Sequence, residues 1–172
     1  DKRRHFVREE VLACKALTLQ AFALSTRDDW QTGLASALEA VAIAQTCGDL
    51  AREAEGRNLC GTCRMMLGQT RAAVDDLDQA RAQLEATGQT RTVLYAQTLN
   101  HLGTALVFTR DYARAVDVLE RTVAQTRAAG LRRLESASLT MLGQIALNRG
   151  RNGDAIALYT RAIDVVGQSY RP

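Results

Sequence analysis

Four groups of residues in this sequence have the types and spacing that could do chemistry: Cys60-Gly-Thr-Cys63, the histidines His5 and His101, the cluster Asp75, Asp76 and Asp78, and the pair Arg57 and Arg64. A C-x-x-C pair exchanges disulfides when a strand delivers it to the start of a helix, where the thiolate is stabilised. Here the pair lies inside a helical pattern, with Cys63 close to the same buried face as Cys60, so both read as small core residues. Zinc would need two further ligands, which Cys14 or Cys47 could supply only if the first hairpin folded across, and His101 lies a repeat away. Neither histidine stands beside a serine, cysteine or acid in a nucleophilic motif. The expectation is therefore no catalytic residue, no metal and no cofactor, in a chain that is not an enzyme.

Asp75, Asp76 and Asp78 lack the glycine-centred loop that calcium ligation needs and are read as a solvated helix face. Arg57 and Arg64 are seven residues apart and share a face at positions where large apolar residues would be expected. One reading packs their stems and bonds their heads to nearby acids such as Glu39 or Glu53. The other makes them an anion or carboxylate site, which paired guanidinium groups suit. Lys2-Arg3-Arg4-His5 is read as a solvated end. The 22 basic and 19 acidic residues are interspersed, with a net charge of +3, so no field that would draw nucleic acid is evident. There is no apolar run of about twenty residues and no export signal, which argues against a membrane partner. Four cysteines in a chain of this length do not make a secreted disulfide scaffold, and a cytoplasmic location is expected.

The elements that must position these groups are helical. Of 172 residues 47% are hydrophobic and only 5% aromatic, and the one proline is Pro172, a composition that supports helices around a sizeable core. Glycines recur at Gly48, Gly88 and Gly130, each just past an apolar helical pattern, as left-handed C-caps do. Fifteen residues before each stand Gly33, Ala73 and Ala115, with Ala155 equivalent in a last unit. Upstream again come Gln20-Ala21, Cys60-Gly61, Leu102-Gly103 and Leu142-Gly143. Four helical hairpins result, with repeats at about 8–48, 51–88, 91–130 and 132–168 and helices expected at 8–26, 30–47, 51–67, 70–87, 91–109, 112–129, 132–149 and 152–168.

These offsets resemble the tetratricopeptide repeat. The last unit matches best through Leu142-Gly143, Gly150, Ala155, Tyr159 and Ala162; the second gives Gly61, Gly68, Ala73, Leu77 and Ala80; the third gives Leu102-Gly103, Ala115 and Leu119. Small residues let the two helices of a hairpin approach closely, and the large residue fills the gap beside them. The period near 40 is longer than the usual repeat and is similar to tetratricopeptide-like arrays of bacterial signalling and transcriptional regulators. HEAT and armadillo repeats share the period but lack the Leu-Gly and Ala offsets. The resemblance implies an all-α, right-handed α-α superhelix of about four hairpins, a single domain over 1–172, with first helices lining a concave groove. An opening at Asp1 and an end at Ser169-Tyr170-Arg171-Pro172 read as a fragment of a larger protein, and arginine-rich, alanine-rich usage suggests a bacterial source.

The resemblance also implies a protein-interaction or regulatory module that binds a peptide or partner protein in that groove. The groove positions are Lys15, Thr18, Phe22, Ser25 and Thr26 in the first unit, Glu55, Asn58, Thr62, Met65 and Met66 in the second, Gln97, Asn100, Thr104, Val107 and Phe108 in the third, and Ala137, Thr140, Gln144, Leu147 and Asn148 in the fourth. Asn58 and Asn100 repeat at one position, where an amide could bond an extended backbone. Apart from Lys15 these positions carry no basic residue, so the clamp with which some relatives hold a chaperone's terminal carboxylate does not transfer. Ile156, Leu158, Ile163, Val165 and Val166 give the last helix a wide apolar spread, which points to further repeats or to self-association, for example as a homodimer. The alternative function is a sensory domain for a small or anionic ligand at Arg57 and Arg64.

Overall fold

The computed structural model describes residues 2–167, and their side chains from Glu9 onward. The basic cluster Lys2–His5 and the ending Ser169–Pro172 thus lie outside the described side chains. Eight helices and no strand are present among the described residues: α1 (Lys2–Ser25), α2 (Trp30–Cys47), α3 (Leu50–Met66), α4 (Thr70–Ala86), α5 (Val93–Phe108), α6 (Tyr112–Ala128), α7 (Arg132–Asn148) and α8 (Asn152–Gly167). Two starts differ appreciably from expectation. Helix α1 begins at Lys2, and α5 begins at Val93 because the Thr92 hydroxyl takes the Tyr95 amide at 3.2 Å and ends a turn there. The chain divides into two compact units, Asp1–Tyr95 and Ala96–Pro172.

Local chemistry explains the helix ends. Asp29, Asp49 and Asp111 each accept a hydrogen bond from the amide three residues on, satisfying a donor that the first turn leaves unpaired. Gly48, Gly88 and Gly130 close the second helices with φ near +70°. The turn inside each hairpin also needs one left-handed residue. Gly68 and Gly150 supply it at no steric cost, whereas Asp28 (φ 61°) and Arg110 (φ 62°) adopt it as ordinary L-residues.

One register organises the hairpins. A Cβ placed on Gly61 would lie 2.5 Å from Leu77, one on Gly103 2.5 Å from Leu119, and one on Gly143 2.7 Å from the Tyr159 ring. The large residue comes sixteen positions after the glycine each time, and the first hairpin sets Ala21 against Ala37 at that spacing. In the first unit α2 packs on α1 and α3, around Ala21, Ala37, Val41 and Cys60, and α3 packs on α4. In the second unit α7 packs on α6 and α8, around Val123, Leu139 and Ala162.

Candidate functional site

The arginines of the second hairpin are already engaged. Arg57 Nε donates to Glu53 Oε1 at 2.8 Å, its Nη1 lies 3.4 Å from Asp76 Oδ1, and Arg64 Nη1 donates to the other oxygen of Asp76. The acids are buried and the arginines half-buried. Burial tends to raise the Glu53 carboxyl, but bonds from Gln45, Gln83 and Arg57 outweigh it and hold Glu53 low. At Asp76 burial wins over Arg64 and Arg57, and its carboxyl stands above its ordinary value. Two expectations change. The anion site at Arg57 and Arg64 is filled by this chain's own carboxylates, and Asp76 is part of the seam instead of a solvated face. Glu53 is a partner, as the sequence allowed; Glu39 is exposed. The repeat itself held the missed signal, because Asp76 precedes Leu77 as Val118 precedes Leu119 and Leu158 precedes Tyr159.

Cys60 and Cys63 are both fully buried within α3, and burial is the main reason that the Cys60 thiol is pushed up to about 12 and that of Cys63 is raised. A protonated, inaccessible thiol is a poor nucleophile. His101 sits in α5, and its removal from water lowers it to about 4, so the imidazole is neutral at ordinary pH. Among the described residues, no three His, Cys, Asp or Glu side chains converge as a metal site would need, and no described helix is long and apolar enough to cross a membrane.

The first-helix face divides into buried and open positions. Asn58 and Asn100 are 5% and 7% exposed, and Asn100 Nδ2 donates to Ser138 Oγ at 2.9 Å, so these amides are packing residues in the structure instead of a ladder open to a peptide. Thr62, Thr104 and Thr140 are half-buried, and each hydroxyl donates to the carbonyl four residues back. Met66 and Phe108, at equivalent places in α3 and α5, stand 59% and 60% exposed. Met65 is half-buried, whereas Gln97 is open to water. In the second unit Gln144 donates to Asn148, Asn148 to the Tyr112 hydroxyl, and the Arg149 guanidinium lies over the Tyr112 ring.

The surplus apolar residues of α8 also separate. Leu158 and Val165 are half-buried and pack against the cluster of Val123, Leu139 and Ala162. Ile156 and Ile163 are 67% and 71% exposed. Ile163 and the half-buried Val166 line an open groove of about 640 Å³ with Ser136, Thr140, Tyr159, Ala162 and Gly167.

Residues 92–167 match the sequence profile of the tetratricopeptide repeat. No curated protein sequence matches significantly. Among solved structures, BtubC from P. vanneervenii is 19% identical with a TM-score of 0.81, covering 95% of this chain and 67% of its own. Aspartyl phosphate phosphatase F from Bacillus subtilis is 16% identical (TM-score 0.77, 91% of this chain), and this chain spans only 40% of it. The tetratricopeptide-like repeats of a Podosopora anserina kinesin light chain are 19% identical (TM-score 0.75), with 91% of this chain and 76% of theirs covered. These identities carry the fold and no activity. The match over residues 92–167 and these structural likenesses together give the chain the fold of tetratricopeptide-like helical solenoids.

Proposed function

We propose that this chain is a non-catalytic interaction module that holds a peptide or partner protein on the face of its first helices, within a larger regulatory protein of the bacterial cytoplasm. The observation that carries the reading is that each unit leaves a large apolar side chain in water at the same repeat position, Met66 in the first and Phe108 in the second, each more than half exposed and next to a threonine whose hydroxyl is already bonded. An adaptable thioether or an aromatic ring left in water suits the apolar anchor of a segment bound within its own unit. In the second unit Gln97, Gln144 and Asn148 add polar groups on the first helices, and protein partners are the common use of this fold. Four unpaired cysteines accord with a reducing compartment. A sensory role at Arg57 and Arg64 is not carried forward, since both guanidinium groups are paired within the chain.

The test is selection of peptides from a displayed random library on the immobilised chain, followed by titration against Met66→Ser and Phe108→Ser. Loss of at least tenfold in affinity with unchanged helicity is the expected result. Peptides that bind the wild type and both variants equally would remove the first-helix face from consideration.

A further inference from the structure

The groove beside α8 has an internal counterpart that identifies what fits it. Moved back by one repeat of forty residues, Ser136, Thr140, Tyr159, Ala162, Ile163 and Val166 of its lining become Ala96, Asn100, Leu119, Thr122, Val123 and Thr126, all buried, while Gly167 becomes the exposed Arg127. Helix α7 packs against that counterpart face: Ser138 takes the Asn100 amide and Leu139 packs with Val123. The first unit repeats the arrangement, since Val41, equivalent to Ile163, faces α3 so closely that a Cβ on Gly56 would lie 2.8 Å from its Cγ2. In each unit one second helix, α2 or α6, therefore presents a seat for the first helix that follows it, α3 or α7, which carries a small residue at the place of Gly56 or Ser138.

This chain exposes such a helix. The residue of α1 equivalent to Gly56 and Ser138 is Ala16. Around it Leu12, Ala13, Leu19, Gln20 and Ala23 are exposed, although the matching residues of α3, α5 and α7 are buried or half-buried. Leu12 is 57% and Leu19 69% exposed, an apolar stripe along one helix face. The two surfaces also agree in charge, because neither contains an ionised side chain. Two of the groove's hydroxyls donate within the chain and leave no donor to be satisfied by an occupant: Ser136 Oγ donates to the Ala162 carbonyl at 2.9 Å and Thr140 Oγ1 to the Ser136 carbonyl at 2.9 Å.

We infer that the α7–α8 groove of one copy takes α1 of a second copy, with Ala16 seated on Ile163, so that the chain assembles head to tail. The contact is heterologous. Each copy keeps one free end, and growth continues past the dimer until a ring closes or a filament forms. The inference rests on the proposal that the chain is an interaction module but not on Met66 or Phe108, so peptide capture and assembly can fail separately.

Sedimentation velocity on the 172-residue chain, from low-micromolar to near-millimolar concentration, reads the assembly directly. The expected result is a monomer of 18.8 kDa giving way to dimers, trimers and larger species. Leu19→Lys or Ile163→Lys, each at an exposed position where stability is barely affected, should hold the chain monomeric. Mixing the two variants should restore one-to-one dimers and nothing larger, because only one good groove and one good α1 face remain to meet. A wild type that stays monomeric overturns the inference. So does a dimer abolished by Ile163→Lys but indifferent to Leu19→Lys, which would be a symmetric pairing of α8 with itself.

Discussion

At three equivalent positions the second hairpin carries Arg57, Arg64 and Asp76, where the third carries Leu99, Leu106 and Val118 and the fourth Leu139, Ala146 and Leu158. The backbone is the same, with a glycine against a large residue at the same spacing in all three. The seam is an ion-pair network in one hairpin and apolar in the others. The comparison teaches that the repeat asks these positions for volume and mutual satisfaction, and leaves the chemistry free. A buried ion pair gives little net stability, since desolvation offsets the Coulomb attraction, but it punishes any change that removes one partner.

The sharpest test of that view is Asp76→Ala, which leaves two arginines facing each other without their shared carboxylate. Breaking a buried pair costs about 3–5 kcal/mol; the arginine side chains are 14% and 22% exposed, so water relieves part of the loss and about 3 kcal/mol is expected. The triple replacement, Arg57→Leu with Arg64→Leu and Asp76→Val, copies the third hairpin at these three positions and should cost less than Asp76→Ala, since Glu53 loses Arg57 but keeps its bond from Gln45. Urea unfolding of both variants decides it. If the triple variant loses more than Asp76→Ala, the network has a positioning role that the apolar seams do not share.

A second contrast lies at His101, which occupies in α5 the place of Leu59 in α3 and Met141 in α7. Its value in the folded chain, about 4, is below the ordinary 6.5. Between those values the unfolded chain binds a proton that the folded chain refuses, so the contribution of His101 is intact above pH 6.5 and is lost as pH falls toward 4. The loss is on the order of 2 kcal/mol, or several degrees in melting temperature. His101→Met should flatten the part of the melting curve's pH dependence between pH 6.5 and 4 that the wild type owes to this ring. Equal acid lability in the two proteins would mean that the imidazole protonates without leaving its place.

The architecture was legible because its determinants are small residues at fixed offsets, and glycine or alanine at a close helix contact admits few substitutes. Helix ends were readable at Asp29 and Asp111 for a similar reason, as a side-chain oxygen there caps the first turn. The site was less legible. Asn58 and Asn100 look like recognition amides in sequence, but whether an amide faces a groove or the next helix depends on about a quarter-turn of rotation, which periodicity alone does not settle. Asp76 was misplaced because three neighbouring acids look solvated until one is set against Val118 and Leu158. For α8, a list of apolar residues did not separate Leu158 and Val165, which are packed, from Ile156 and Ile163, which are exposed.

The smallest expected effect concerns the turns. The within-hairpin turn requires a left-handed residue, supplied by Gly68 in the second hairpin and Gly150 in the fourth but by Arg110 in the third, at φ 62°. A side chain there brings Cβ toward the carbonyl oxygen, at a cost of about 1–2 kcal/mol. Glycine removes that strain but gives the unfolded chain more freedom, which returns part of the gain. Arg110 is exposed, so few packing contacts are lost with it. Arg110→Gly should therefore stabilise the second unit by about 0.5–1 kcal/mol, seen as a higher urea midpoint with an unchanged slope. Asp28→Gly should gain less, since aspartate tolerates the left-handed region better than arginine does. If Arg110→Gly instead destabilises, the guanidinium stem is holding the turn through packing, and the third hairpin differs from its neighbours in more than backbone strain.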